Sequence, residues 1–300
     1  MLKIFIIILI VLCIVAALII KEIKRELSCF QTVRYKIESE KLQGIEKKIV
    51  FLSDLHNRVY GEENRELLEA IQKENPDYIL IGGDLLVSNN KSPYLPALYL
   101  VEKLVSICPV YYANGNHEQR IKERIEDYEM SYAAYHRILK VAGVHFLEND
   151  SAILLWNNQK IRLTGLEIPL DCYKKIGRDK LQTEEIVERV GENDTESYEI
   201  LLAHNPSFTK KYLEWGADLI LSGHLHGGIV RLPWLGGAIS PSFEIFPKYS
   251  GDHYKVQNKD VVVSKGLGTH TFNIRLFNPA ELVVLHLKGN TSCEKQENPV

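Results

Sequence analysis

The chain has 300 residues, 45% of them hydrophobic and 25% charged. That balance suits a globular body with a substantial core and excludes a disordered or low-complexity chain. The net charge is -3, divided between +3 on the first 25 residues and -6 on the rest; a mildly acidic body lacks the basic face of non-specific nucleic-acid binders, so no nucleic-acid partner is expected.

The first element is an unbroken apolar run, Ile4 to Ile20, without a charge, glycine or proline. Its length is near the lower limit for a helix that crosses a bilayer. Ala16-Ala17 is followed by Leu-Ile-Ile-Lys, a poor cleavage site for a signal peptide. Residues 1–25 are therefore expected to be an uncleaved single-pass anchor in the cell membrane, touching lipid through residues 4–20. Lys21, Lys24, Arg25, Arg34 and Lys36 follow the run, and only Lys3 precedes it. The positive-inside tendency then places the large domain in the cytoplasm.

Residues 26–45 read as a connector, with a first strand at Tyr35–Ser39. Lys48–Leu52 has the composition of a buried strand. Asn64–Glu74 carries Leu67, Leu68 and Ile71 at helical spacing. Tyr78–Ile81 is a strand, Leu95–Val105 a helix, Val110–Ala113 a strand and Tyr128–Val141 a helix. This alternation predicts an α/β sandwich with parallel pairing in its first half. Ala152–Trp156 and Lys160–Gly165 flank Asn157-Asn158-Gln159 and read as a hairpin. Strands are expected at Glu199–Ala203 and Asp218–Leu221, around a helix near Phe208–Trp215, and again at Val261–Ser264 and Leu282–Leu287. The domain is expected over 46–288, with a polar tail at 289–300. Cys13, Cys29, Cys108, Cys172 and Cys293 are odd in number and form no CxxC pair. They read as free thiols rather than a disulfide framework or a zinc site.

Five clusters of metal-type ligands stand out: Asp54-Leu-His56, Gly83-Asp84, Gly115-Asn116-His117-Glu118, His204 and Gly223-His224-Leu-His226. Each directly follows a predicted strand, where open α/β sheets place their binding sites, so they can converge. Carboxylate, imidazole and amide ligands together suit two divalent ions such as Mn, Zn or Fe better than a magnesium cage. Asp84 could bridge the pair. Asp54, His56 and His226 would complete one ion, and Asn116, His204 and His224 the other. Two such ions activate a bridging hydroxide and clamp an in-line displacement at phosphorus. His117, next to Asn116, would sit at the rim and donate a proton or stabilise phosphate charge. His136, His145 and His286 read as surface or core residues, and His253 and His270 as loop residues.

With D-x-H, G-D, G-N-H-E, a lone H and G-H-x-H in that order, the chain resembles the calcineurin-like metallophosphoesterase superfamily. The resemblance implies a four-layer αββα sandwich, preceded here by the transmembrane helix, with two metals at one edge. It implies the ligand roles given above and makes His117 the catalytic histidine. The apolar N-terminus, His204-Asn-Pro, Gly223-His-Leu-His-Gly-Gly and Gly266-Leu-Gly-Thr followed by Arg275 are similar to the bacterial membrane-anchored phosphodiesterase subgroup. The expected activity is hydrolysis of a phosphoester, a phosphodiester or pyrophosphate, on a membrane-associated substrate. A nuclease of the same superfamily and a non-catalytic membrane-anchored binding module are the alternatives. One departure matters: Val87 stands where many relatives place an acidic partner for the catalytic histidine. The apolar stretch around Trp234-Leu235 and Phe243–Phe246 is either a small satellite core or an apolar wall facing acyl chains or the bilayer.

Overall fold

Strand periodicity sets the layers. The computed structural model describes residues 1–91, 93–174, 180–232, 234–239, 244–269 and 273–289. Helix α1 (Leu2–Ser28) is followed by strands β1 (Phe30–Ser39) and β2 (Glu46–Leu52), α2 (Arg65–Glu74), β3 (Tyr78–Ile81), α3 (Leu95–Leu104), β4 (Val110–Tyr112), α4 (Asn116–Glu123), α5 (Tyr132–Ala142) and β5 (His145–Phe146). The second half runs β6 (Asp150–Trp156), β7 (Gln159–Leu166), α6 (Thr183–Val190), β8 (Tyr198–Ala203), α7 (Thr209–Trp215) and β9 (Leu219–Ser222). A small antiparallel pair, β10 (Val230–Leu232) and β11 (Gly236–Ile239), precedes β12 (Asp252–Val256), β13 (Lys259–Val263) and β14 (Ala280–Gly289).

Two six-stranded sheets result, ordered β1-β14-β2-β3-β4-β5 and β12-β13-β9-β8-β7-β6. Successive strand residues point to opposite faces. On β2 and β3, Val50, Leu52, Ile79 and Ile81 pack outward with Leu67 of α2, Val101 of α3 and Leu139 of α5. Their neighbours Ile49, Phe51 and Leu80 pack inward against Ile200, Leu202, Leu219, Leu221 and Val262 of the other sheet. The alternate residues Leu201, Ile220 and Val261 face Ile186 of α6 and Tyr212 of α7. Three buried layers between four sets of elements make the αββα sandwich. Because both faces of each central strand are buried, these strands read as continuous apolar runs. Truncating Leu80, which is 1% exposed, to alanine would cost about 2–5 kcal/mol.

Differences from the sequence expectation have local causes. The stretch read as a connector holds β1 over Phe30–Ser39, paired parallel with β14. Helix α5 starts at Tyr132 rather than Tyr128, because Ser131 caps it by accepting from the Ala134 N–H. Helix α4 escapes a periodicity search because Ile121 is its one apolar side chain. The β6–β7 turn places Asn157 and Asn158 at φ 48° and 66°, the primed geometry that suits a two-residue hairpin. Cys13, Cys29, Cys108 and Cys172 are free thiols; Cys293, His270, Phe243 and residues 290–300 lie outside the described residues.

Helix α1 is exposed along its apolar length and long enough to cross a bilayer. Its last turn docks on the domain. The buried Glu26 carboxylate accepts from the Asn278 backbone N–H at 2.9 Å, and the Arg58 guanidinium donates to the Leu27 carbonyl.

Candidate metal centre

The ligand clusters leave the carboxyl ends of β2, β3, β4, β8 and β9. Strands β2 to β4 run parallel in one sheet and β8 and β9 in the other, which brings their loops to one rim. Asp54, His56, Asp84, His224 and His226 all have φ between 49° and 69°. This left-handed backbone curls each loop tightly at its strand end. Residues other than glycine adopt this conformation uncommonly, aspartate, asparagine and histidine more readily than most. Two glycines permit the closeness. A Cβ on Gly115 would stand 2.2 Å from Asp84 Oδ1, and one on Gly223 would stand 2.1 Å from Asp54 Oδ2.

All eight predicted residues come together. Asp54, His56 and His226 form one group, Asp84, His204 and His224 a second, and His56, Asp84 and His117 a third; within each, donor atoms lie within 4.8 Å of one another. Asp84 Oδ2 is 3.0 Å from His204 Nε2 and 4.0 Å from both His56 Nε2 and His117 Nε2. His226 Nε2 is 3.4 Å from Asp54 Oδ1 and 3.2 Å from His56 Nε2. The Asn116 amide lies 3.0 Å from His224 Nδ1, where its oxygen and the ring nitrogen would converge on one ion.

The donor chemistry fits cations. His56, His204 and His226 each direct Nδ1 at a backbone carbonyl, of Leu86 (3.2 Å), Gly82 (2.7 Å) and Gly268 (3.1 Å). An Nδ1–H donated there leaves Nε2 a lone pair aimed into the cleft, the usual arrangement of a ligating histidine. His204 Nε2 is buried and makes no hydrogen bond, although two carboxylates face it. Burial disfavours charge on His204, but Asp84 and Asp54 outweigh it and raise its pKa to about 10. Burial raises Asp54 to about 6, helped by the Asp84 charge and opposed by His204. Burial opposes ionisation of Asp84 too, yet His204 and His117 hold its pKa well below the usual carboxylate range. The cleft thus calls for positive charge, which metal ions would supply.

Several supporting residues were not legible as such. The buried Glu118 carboxylate accepts from the backbone N–H groups of Asp84, Leu86 and Gly115, so it ties two ligand loops together. Burial and the Asp84 charge push its pKa up to about 7. Buried Arg275 donates to the carbonyls of Lys265, Gly266, Gly268 and Asn278. It thereby shapes the loop whose Gly268 carbonyl orients His226 and whose Gly268 N–H meets the Asp54 carbonyl. Asn278 donates to the carbonyls of His226 and Gly228. The Tyr173 ring packs edge-on to His224 at 5.1 Å.

The calcineurin-like phosphoesterase family matches residues 47–228, more than half of the chain. The chain belongs to that family. An uncharacterized metallophosphoesterase of Aquifex aeolicus is 30% identical over 85% of this chain and 91% of its own. Phosphodiesterase YaeI of Escherichia coli is 24% identical over 86% of this chain and 88% of its own. Among solved structures, a putative 5'-nucleotidase from Staphylococcus aureus matches with TM-score 0.48 and 12% identity, over 84% of this chain and 56% of that one. As a calcineurin-like phosphoesterase this chain is a metal-dependent hydrolase of a dinuclear family, with an Asp/His centre of the kind such a hydrolase needs.

Within this phosphoesterase, Val87 leaves His117 without the expected carboxylate, and Ser88 takes the position. The Ser88 backbone N–H donates to His117 Nδ1 at 2.8 Å, and Ser88 Oγ lies at the same distance. With Nδ1 accepting, the proton of the neutral ring resides on Nε2, the nitrogen that faces Asp84. Other histidines stand apart: His253, read as a loop residue, lies on β12 and pairs with Asp260 of β13 at 2.7 Å, and His136 lies 3.5 Å from Glu148.

Proposed function

We propose that this chain is a membrane-anchored phosphohydrolase that uses two divalent ions, Mn, Zn or Fe, to cleave phosphodiester or pyrophosphate bonds. The observation that carries it is Asp84, whose carboxylate is within reach of both ligand groups. Asp54, His56 and His226 would hold one ion and Asn116, His204 and His224 the other, with Asp84 between them. When bound, the ions supply an activated water and neutralise charge developing on the phosphoryl oxygens. The chain's own part is orientation and proton transfer. Glu118 and Arg275 hold the ligand loops, so the cleft needs little rearrangement during reaction. His117, oriented by Ser88 with its proton on Nε2, donates to the leaving oxygen.

Diester cleavage is supported by the phosphodiesterase name of the Escherichia coli relative. Anchoring is supported by α1, exposed over its whole apolar run. A cytoplasmic domain is supported by Lys21, Lys24 and Arg25 directly after that run. The test is purification of the full chain without added metal, metal analysis, and assay on monoesters, phosphodiesters and lipid pyrophosphates. Asp84→Ala and His224→Ala should each lose at least about 100-fold on a chromogenic phosphodiester. Full activity in pure Asp84→Ala would refute the mechanism, and preferential cleavage of single-stranded DNA would redirect it to a nuclease.

A further inference from the structure

Three aromatic side chains occupy exposed turns beside the metal loop. Trp234 is fully exposed, and Phe246 and Phe277 are about half exposed. All three have left-handed backbone, at φ 64°, 47° and 56°. Such turns favour glycine or asparagine, so local folding gives no reason for large aromatic residues there. Trp234, Leu235 and Phe277 line one hollow of about 440 Å³, together with Pro247 and Lys248.

Helix α1 says what covers this patch. Phe277 immediately precedes Asn278, whose backbone N–H binds Glu26 of α1. The aromatic patch therefore begins one residue from the point where α1 docks. Glu26 is six residues past Ile20, the end of the apolar run, or about 9 Å along the helix axis. The headgroup layer on one side of a bilayer is about 5–8 Å deep. In the anchored protein the docking point thus sits at the outer edge of the headgroups, the zone where tryptophan is enriched because its ring is apolar and its N–H polar. Lys21, Lys24 and Arg25 lie in the same stretch of α1 and suit lipid phosphates.

We propose that Trp234, Leu235, Phe246 and Phe277 form a second membrane contact, and that its occupant is the bilayer that holds α1. The proposal rests on α1 being an anchor, and it specifies the substrate class. The Asn278 side chain binds the carbonyls of His226 and Gly228, so the docked patch fixes the metal mouth at headgroup height. A lipid-borne phosphoester is the substrate whose scissile bond lies there.

The test uses the chain's three tryptophans. Trp156 and Trp215 are 3% and 5% exposed, so a quencher carried on lipid reads Trp234. The full chain is reconstituted in phosphatidylcholine–phosphatidylglycerol vesicles, with and without bromine on the upper acyl carbons. Emission should fall in brominated vesicles for the wild type but not for Trp234→Phe, and acrylamide in the water should quench both equally. Wild-type emission that is untouched by bromine and open to acrylamide would overturn the contact. Alkaline carbonate extraction separates the two failures. Protein that stays in the pellet with Trp234 in water rejects the second contact alone, whereas release to the supernatant rejects the anchor and with it the proposal.

Discussion

His117 and Ser88 show what single residues do in this cleft. Ser88 supplies an N–H to Nδ1 where the expected carboxylate is replaced by Val87, so a neutral donor orients the ring from that side while Asp84 lies 4.0 Å from Nε2. A ring held this way is a donor at Nε2, and its contribution depends on how badly the leaving oxygen needs a proton. His117→Ala should lower kcat about 10²–10⁴-fold for an alkyl phosphodiester. It should cost far less for a nitrophenyl ester, whose leaving group departs as a stable anion. Equal losses on the two substrates, with metal content unchanged, would assign His117 to phosphate binding instead. The candidate ligand residues that the fold gathers stood out in the sequence because metals accept few side-chain types and the strand-end spacing repeats. The roles of Glu118, Arg275 and Asn278 did not, since each binds backbone groups that only the folded loops bring near, and Ser88 meets the His117 ring only in the fold.

At the scale of elements, strands β2, β3, β8 and β9 could be read from apolar runs because both of their faces are buried. The polar helix α4 and the short β5 left no such signal. Strand β8 also carries a polar exception. Glu199 is buried, receives the Thr164 hydroxyl at 2.5 Å and lies 3.7 Å from Arg162 Nε. Burial raises its pKa from 4.5 to about 7, against the lowering effects of Thr164 and Arg162. The folded state therefore holds this proton more tightly than the unfolded chain does. Its stabilising contribution is full below pH 4.5 and is lost as pH rises through about 7, a loss on the order of 3 kcal/mol. Glu199→Gln should remove that slope. Thermal unfolding of both proteins in chelator across pH 4.5–8 checks it, because titrations common to the two cancel in the difference. A difference that does not change with pH would show that Glu199 stays ionised.

At the scale of the whole molecule, the apolar helix α1 and the candidate metal cleft are joined through Glu26. Its carboxylate accepts from the Asn278 N–H, and the Asn278 amide holds the carbonyls of His226 and Gly228. The apolar run predicted the helix, but nothing in the sequence pattern linked residue 26 to a ligand loop some 200 residues away. Removing the carboxylate would leave the Asn278 N–H buried without an acceptor, at about 1–3 kcal/mol. Part of that cost would fall on the loop that positions His226. Glu26→Ala should therefore weaken the ion on Asp54, His56 and His226 by about tenfold, the equivalent of ~1.4 kcal/mol. Glu26→Gln, which keeps an acceptor oxygen, should stay near wild type. Chelator competition on the purified full chain measures both variants. Equal affinity in Glu26→Ala and Glu26→Gln would mean that α1 fixes the position of the domain without shaping its metal loop.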